Sequence, residues 1–397
     1  MMKKMMSILL MISFCAVLKA GYIERSKLFH RHVDPESGVV SYIMNDNVFN
    51  EQSKSLYFTN KSMTNDGRFI IVRFANNEAR NHKLELCTAA VDLKTSRITV
   101  LIPGKHTNPF LDPDTDIVYY NTKDGFFKRE LLTDPEKEIK ICGIPKELTD
   151  IGPVKRLCTH LILNKTRDKA FLDTHVGERY VYGIINFNDG SFDYWGEVDF
   201  CLDHGAINPV RDDIALAAHE SDWKDSKGTH KIQYINGIYP RLQLLEKGRR
   251  TMVPHLDGHK SYHECWAADG EGFYYCEESV YYHDLRTGEI TKVSPMGIHP
   301  NMTADLKYVV SDQYIDNYYR GHAWRVYFWN RETQKGIFVH TYCPPIATVQ
   351  DPSNLHPDPH PQFVCNDKYI VCTRNGSDGN MHFSVTPVRQ LVRKTSR

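Results

Sequence analysis

Seven times along the chain a short polar turn, nearly always carrying an aspartate, is followed by four or five β-forming apolar residues. The copies are TNDGRFIIV around Asp66, DPDTDIVYY around Asp114, NKTRDKAFL around Asp168 and PVRDDIALA around Asp212. They continue as AADGEGFYY around Asp269, TADLKYVVS around Asp305 and VCNDKYIVC around Asp367. The markers advance by about 50 residues a step, a period typical of propeller blades. Between copies, AAVDLKTSRITVLI, YGIINFNDGSFDYW, SVYYHDLRTGEITKV and VYFWNRETQKGIFV each read as strand, tight turn, strand, the pattern of an antiparallel hairpin. No long stretch carries a helical period. Four antiparallel strands in each of seven units predict an all-β, seven-bladed β-propeller. A pair of β-sandwiches would not generate seven comparable turn-strand units.

The first 20 residues, with Lys3 and Lys4, an apolar run from about Ile8 to Leu18 and a small residue at Ala20, read as a secretory signal peptide. The run is too short for a convincing membrane span. Lipid attachment at Cys15 is the alternative, poorly supported by the preceding Ile-Ser-Phe. The expectation is an exported protein, periplasmic or extracellular, with residues 21–397 forming one propeller domain. Lys+Arg and Asp+Glu both number 49, so no basic field invites nucleic acid. Ten cysteines, one of them in the leader, are irregularly spaced and leave an odd number, which argues against a disulfide framework and for buried strand thiols.

The repeat also serves as a ruler. Six to eight residues before the marker aspartate, where each inner strand begins, stand His160, His204, His263, His299 and His360, with Asn60 and Asn108 in the remaining two units. Equivalent positions on successive blades form a ring at one mouth of the central channel. Imidazoles gathered there can hold a divalent metal or move protons near neutrality. Single histidines could equally act as hydrogen-bonded pins between blades. In LHPDPHPQF the prolines stiffen the segment that presents His360, and His356 lies outside the ring slot.

Arg241, in YPRLQLL, precedes an apolar strand and would clamp a carboxylate if it faces the ring. Tyr239 alternates to the same face and is a candidate acid or base. His175, in FLDTHVGERY, stands near the end of an inner strand. In YHECW, His263 and Cys265 share a strand face with Cys276 nearby; a zinc clip and an inert pair of buried thiols are both open.

With these residues assembled, the chain resembles the seven-bladed propeller polysaccharide lyases, namely oligogalacturonate lyases and the related ulvan lyases. HECWAADGEGFYY, HPQFVCND and PRLQLL resemble segments of the first group; FHRHVDPESGVVSYIM, SLYFTNKSMTNDGRFIIV and the histidine in FLDTHVG look closer to the second. The similarity spans roughly residues 25–380. It implies β-elimination at a uronic acid, with a uronate-containing oligo- or polysaccharide as partner. The oligogalacturonate lyase pattern implies a divalent metal on His299 and His360, His263 nearby and Arg241 as base. That family carries Gln-x-x-His-Pro-His where this chain has Leu355, Asp358 and His360, so the metal site is altered here or lost. The ulvan lyase pattern implies His160, His175 or Tyr239 in proton transfer, Arg241 neutralising the carboxylate, and a structural zinc near His263 and Cys265. His204 joins the catalytic candidates through its ring slot, and zinc or manganese is the expected metal.

A uronate C5 proton is weakly acidic because the adjacent carboxylate is already negative, so a cation must withdraw that charge before a base can act. A glycoside hydrolase would need two opposed carboxylates, and the ring slots hold only histidine and asparagine. The competing expectations are a non-catalytic propeller that binds glycan or protein and a metal-dependent hydrolase.

Overall fold

The computed structural model describes residues 21–49, 52–75, 86–103, 109–220, 241–254, 256, 261–315, 323–345 and 357–397. The leader read in residues 1–20, Cys15, Asn108, Tyr239, Leu355 and His356 lie outside these residues.

The strands form seven antiparallel sheets, six with four strands and one with five, and within the six the strands follow chain order from the channel outward. The chain is a seven-bladed β-propeller. Each marker aspartate sits in the turn between a blade's first and second strands, where short-range chemistry explains the repeat. Asp66 accepts hydrogen bonds from Thr64 Oγ1 and the Arg68 N–H, and Asp305 accepts from Thr303 Oγ1 and the Lys307 N–H. Such a side chain supplies the turn with acceptors that the backbone lacks there.

The seventh blade departs from the sequence pattern. It takes Gln362–Val364, Tyr369–Asn375 and Met381–Pro387 from the end of the chain and completes them with Val40–Met44 and Phe29–Val33 from its beginning. Tyr42 pairs with Val385 across this seam, and the Ser41 and Thr386 hydroxyls meet at 2.7 Å. The N-terminal hairpin thus closes the ring and caps an edge that would otherwise stay open. The terminal helix Val388–Thr395 docks beside it, with Gln390 bonding both backbone groups of Val40.

The apolar core lies between facing blades. Tyr119 and Phe126 of blade two pack with Leu163 and Leu172 of blade three, and Phe328 of blade six packs with Phe363 and Ile370 of blade seven. The nine described cysteines are all free, and seven are buried.

Candidate active site at the channel mouth

The five ring-slot histidines come together. His160 and His204 have ring centroids 5.3 Å apart, His263 and His299 4.0 Å, and His299 and His360 4.3 Å. At their centre lies Tyr57, a residue the sequence did not single out. It stacks on His160 at 4.2 Å, meets His360 edge-on at 4.7 Å, and lies 5.6 Å from His204 and 6.2 Å from His299. Phe58, fully buried beneath, reaches His263, His299 and His360.

Local backbone geometry aims these rings inward. In blade four the inner strand Leu202–Ile207 spends three steps from Asp203 to Ala206 where its partner spends two, from Ala218 to Leu216. Blade five repeats the offset, Tyr262 to Cys265 against Cys276 to Tyr274. Each is a β-bulge, in which His204-Gly205 and His263-Glu264 each oppose a single residue, Ala217 and Tyr275. A bulge bends its strand and re-aims a side chain. His204, His263 and His360 accordingly take φ of 57°, 54° and 47°, in the left-handed region that non-glycine residues rarely occupy. Gly205 is required by close approach, since a Cβ there would stand 2.7 Å from the Phe171 ring. Strain of this kind collects at functional sites.

Asn60, in the blade-one slot, instead donates its amide to Pro109 O and Leu161 O and pins neighbouring blades together. With Asn301 bonding Phe58 O, and Gln362 bonding the Ser62 N–H, the segment around Tyr57 is tied to blades on both sides of the channel.

A layer of charged groups holds the ring. Buried Asp312 accepts the backbone N–H groups of His299 and His360, each at 3.0 Å, and contacts His299 Nδ1 at 2.9 Å. One carboxylate therefore positions two imidazoles from different blades and leaves His299 Nε2 facing away from it. Across the mouth, Arg156 approaches Asp173 at 3.7 Å and Asp203 at 3.6 Å, and Asp203 accepts the His204 N–H. The two carboxyls share one guanidinium: burial pushes Asp173 up, whereas Arg156 and His204 overcome burial at Asp203 and bring it down to about 2.

Arg241 is buried, bonded to Glu220 at 2.8 Å and Glu264 at 3.4 Å, and lies over the Tyr262 ring. Glu264 stands 3.7 Å from His204 Nδ1, which links the arginine to the ring. The mouth is therefore not free of carboxylates, as the ring slots alone suggested; Glu220, Glu264, Asp173, Asp203 and Asp312 stand behind the histidines and engage arginines or histidines.

The remaining candidates fall elsewhere. His175 stacks on Tyr180 at 4.5 Å on the second strand of blade three and does not join the ring. His263 Nδ1 lies 3.6 Å from Cys276 Sγ, but Cys265 turns its sulfur to Trp266 O, and burial lifts its thiol to about 11. Among the described residues, the donors at the mouth within reach of one ion are His299, Asp358 and His360, with all ligating atoms inside 4.8 Å; His263 and Cys265 are not among them. Two imidazoles and one carboxylate suit a divalent transition metal with coordination positions left open. Asp358 takes the position where the resemblance expected histidine. Asp46, Asp378 and His382 also converge, but both His382 nitrogens already face carboxylates, at 3.3 and 3.0 Å, so the ring is taken up within the group.

Burial, then His204, pushes His160 well below the usual imidazole value; burial, then His299 and Arg241, does the same to His263. Both are neutral proton acceptors near pH 7. Burial, then the charge of Glu264, pushes Tyr57 well above the usual phenol value. Buried Lys54, paired across the strands with Arg73, is brought down to about 7 by burial and by that arginine, with Asp358 opposing.

The missed residues carry a faint sequence signal. Asp173 in FLDTHV and Asp312 in VVSDQY are lone acids inside apolar strands, and a buried acid demands partners.

No family model and no curated protein matches the chain. Solved structures do. An oligogalacturonate lyase in complex with manganese superposes with a TM-score of 0.71 at 17% identity, covering 93% of this chain and 97% of that one. Oligogalacturonate lyase from Vibrio parahaemolyticus gives 0.69 at 16% identity, covering 91% and 96%. At such identity the likeness is one of fold, in line with the propeller lyase resemblance of the sequence.

Proposed function

We propose that the chain is a carbon–oxygen lyase that cleaves a uronic-acid-containing oligo- or polysaccharide, an oligogalacturonide or ulvan-like chain, leaving a 4,5-unsaturated uronate. The observation that carries this reading is the convergence of His299, Asp358 and His360 with neutral imidazoles and a buried arginine at one channel mouth. His299, Asp358 and His360 would hold a divalent ion, manganese or zinc. When bound, the ion supplies Lewis-acid withdrawal of charge from the uronate carboxylate. His263, neutral and in contact with His299, takes the C5 proton. Arg241 adds positive potential from behind; held by two carboxylates, it is firmly protonated and is not the base. The leader read in residues 1–20 would place this activity outside the cytoplasm.

The test is incubation of the metal-loaded protein with pectic, ulvan and glycosaminoglycan uronans, following ultraviolet absorbance of the conjugated product. Absorbance rising with one of them, and abolished by His299→Ala, is expected. No product from any would overturn the reading. The double engagement of Arg241 by Glu220 and Glu264 favours a second one, a propeller that binds glycan without turnover. It predicts saturable uronan binding with no product.

A further inference from the structure

Elimination needs a proton for the departing glycosidic oxygen as well as a base for C5; of the candidates for proton transfer, Tyr239 lies outside the described residues, His175 stands apart from the ring and His160 is neutral. The carboxylates round the mouth are committed as acceptors: Glu220 and Glu264 to Arg241, Asp203 and Asp173 to Arg156, and Asp312 to His299 and His360. A carboxyl whose oxygens are taken up by such donors, as those of Asp173 also are by Thr159 and the Gly205 N–H, has no proton free to give. Tyr57 carries an O–H on a ring that neighbours His160, His204, His299 and His360 at once, and among the described residues no other side chain meets four of the five ring histidines. Tyr57 stands beside both metal-donor imidazoles, His299 and His360, and beside His204, which approaches Glu264 and through it Arg241. Among the described residues, no hydrogen bond engages its hydroxyl, whereas its backbone carbonyl accepts from Asn60 and Gln362 and fixes the residue in place.

We infer that Tyr57 is the general acid of the proposed elimination and donates its hydroxyl proton to the glycosidic oxygen at C4; this rests on the lyase reading. His263 first removes the C5 proton and leaves the electron pair on C5; that pair then becomes the C4–C5 double bond as the C4–O bond breaks. The departing oxygen takes the Tyr57 proton; His263 then gives up the C5 proton to solvent, and solvent returns a proton to the Tyr57 phenolate. The stack on His160 and the edge contact with His360 hold the ring in one orientation, which is what a positioned donor needs.

The experiment uses Tyr57→Phe, which keeps every ring contact, in the full manganese-loaded chain. Turnover of the uronan that wild type cleaves is expected to fall by about 100-fold or more, the usual worth of general acid catalysis. In D2O, exchange of the C5 hydrogen into recovered substrate should continue within about threefold of wild type, because abstraction does not need the acid. A uronide whose leaving group at C4 is 4-nitrophenolate, which departs without a proton, should be cleaved by the variant nearly as fast as by wild type. Turnover within about threefold of wild type on the natural uronan overturns the assignment. So does equal loss of exchange and elimination, or failure of the nitrophenolate substrate to rescue. Should the variant misfold, as judged by its melting curve, wild type alone decides: turnover strongly dependent on leaving-group acidity would refute an enzyme-supplied proton. The lyase reading itself fails separately, if wild type yields neither exchange nor product.

Discussion

Replacing Asp312 by asparagine isolates one carboxylate that organises two blades. Asp312 is fully buried and receives three N–H groups, the backbone of His299, the backbone of His360 and, from the imidazole, His299 Nδ1. Asparagine keeps one acceptor oxygen and turns the other position into a donor, so one buried backbone N–H must face an NH2. Leaving a buried donor unmet costs about 1–3 kcal/mol, and exchanging a charged acceptor for a neutral one adds to this. The expected loss of metal-free stability is therefore about 2–4 kcal/mol. The effect on metal is separate. Groups that orient a ligating imidazole are worth about 10–100-fold in affinity, or about 1.4–2.7 kcal/mol. Calorimetric titration of chelator-stripped protein with Mn2+ reads the second quantity, and urea denaturation without metal reads the first. Asp305→Asn, on an exposed turn of the same blade, is the control and should shift stability by less than about 0.5 kcal/mol. Manganese affinity within twofold of wild type in a folded Asp312→Asn protein would refute the idea that this carboxylate sets the geometry of His299 and His360.

Arg241→Met strands Glu220 and Glu264 in the interior and should cost about 3–5 kcal/mol by urea denaturation; a loss under about 1 kcal/mol would mean the carboxyls find other partners. Burial works to raise the Glu220 carboxyl, but Arg241 and His204 outweigh it and hold the group below its ordinary value. A group depressed in the folded state contributes stability that is full above its unfolded value and lost as pH falls through the folded one. Glu220→Gln should therefore flatten the acid limb of stability measured from pH 6 downward, and an unchanged limb would contradict the assignment. Phe58→Ala removes a fully buried ring from the floor of the mouth and should cost about 3–5 kcal/mol in the same assay. Deleting residues 21–46 removes two strands of blade seven and exposes the Met381–Pro387 edge; light scattering should report association, and a monodisperse, cooperatively unfolding product would show that the ring does not need this closure.

The blades were legible because their signal is local and repeated. An aspartate two residues before a turn N–H, then alternating or continuous β-formers, is a rule satisfied within one segment, and seven copies remove the ambiguity of any single one. The seam in blade seven was not legible for the opposite reason. Val40–Met44 pairs with Met381–Pro387 from the far end of the chain, and only the need to cover an open edge, not any local pattern, dictates that pairing.

The same distinction explains the site. The ruler located five histidines because blade symmetry maps equal sequence offsets onto equal positions round the channel, but it carried no information on how far each ring projects. That depends on one-residue bulges at His204 and His263 and on left-handed backbone at His360, which cost conformational energy and persist only where surrounding contacts over-determine them. Those contacts come from other strands and other blades: Asp312 on blade six fixes His360 on blade seven, and Asp173 on the second strand of blade three receives both the Thr159 N–H and, across the blade boundary, the Gly205 N–H beside His204. A ligand ring built this way can lose one donor type and keep its shape. Asp358 stands where the resemblance expected an imidazole, and its carboxylate lies 3.9 Å from His360 Nε2. Exchange of Asp358 for histidine should therefore preserve the fold and shift metal preference toward softer ions, measurable as a changed zinc-to-manganese affinity ratio. An unchanged ratio would place the metal away from this carboxylate.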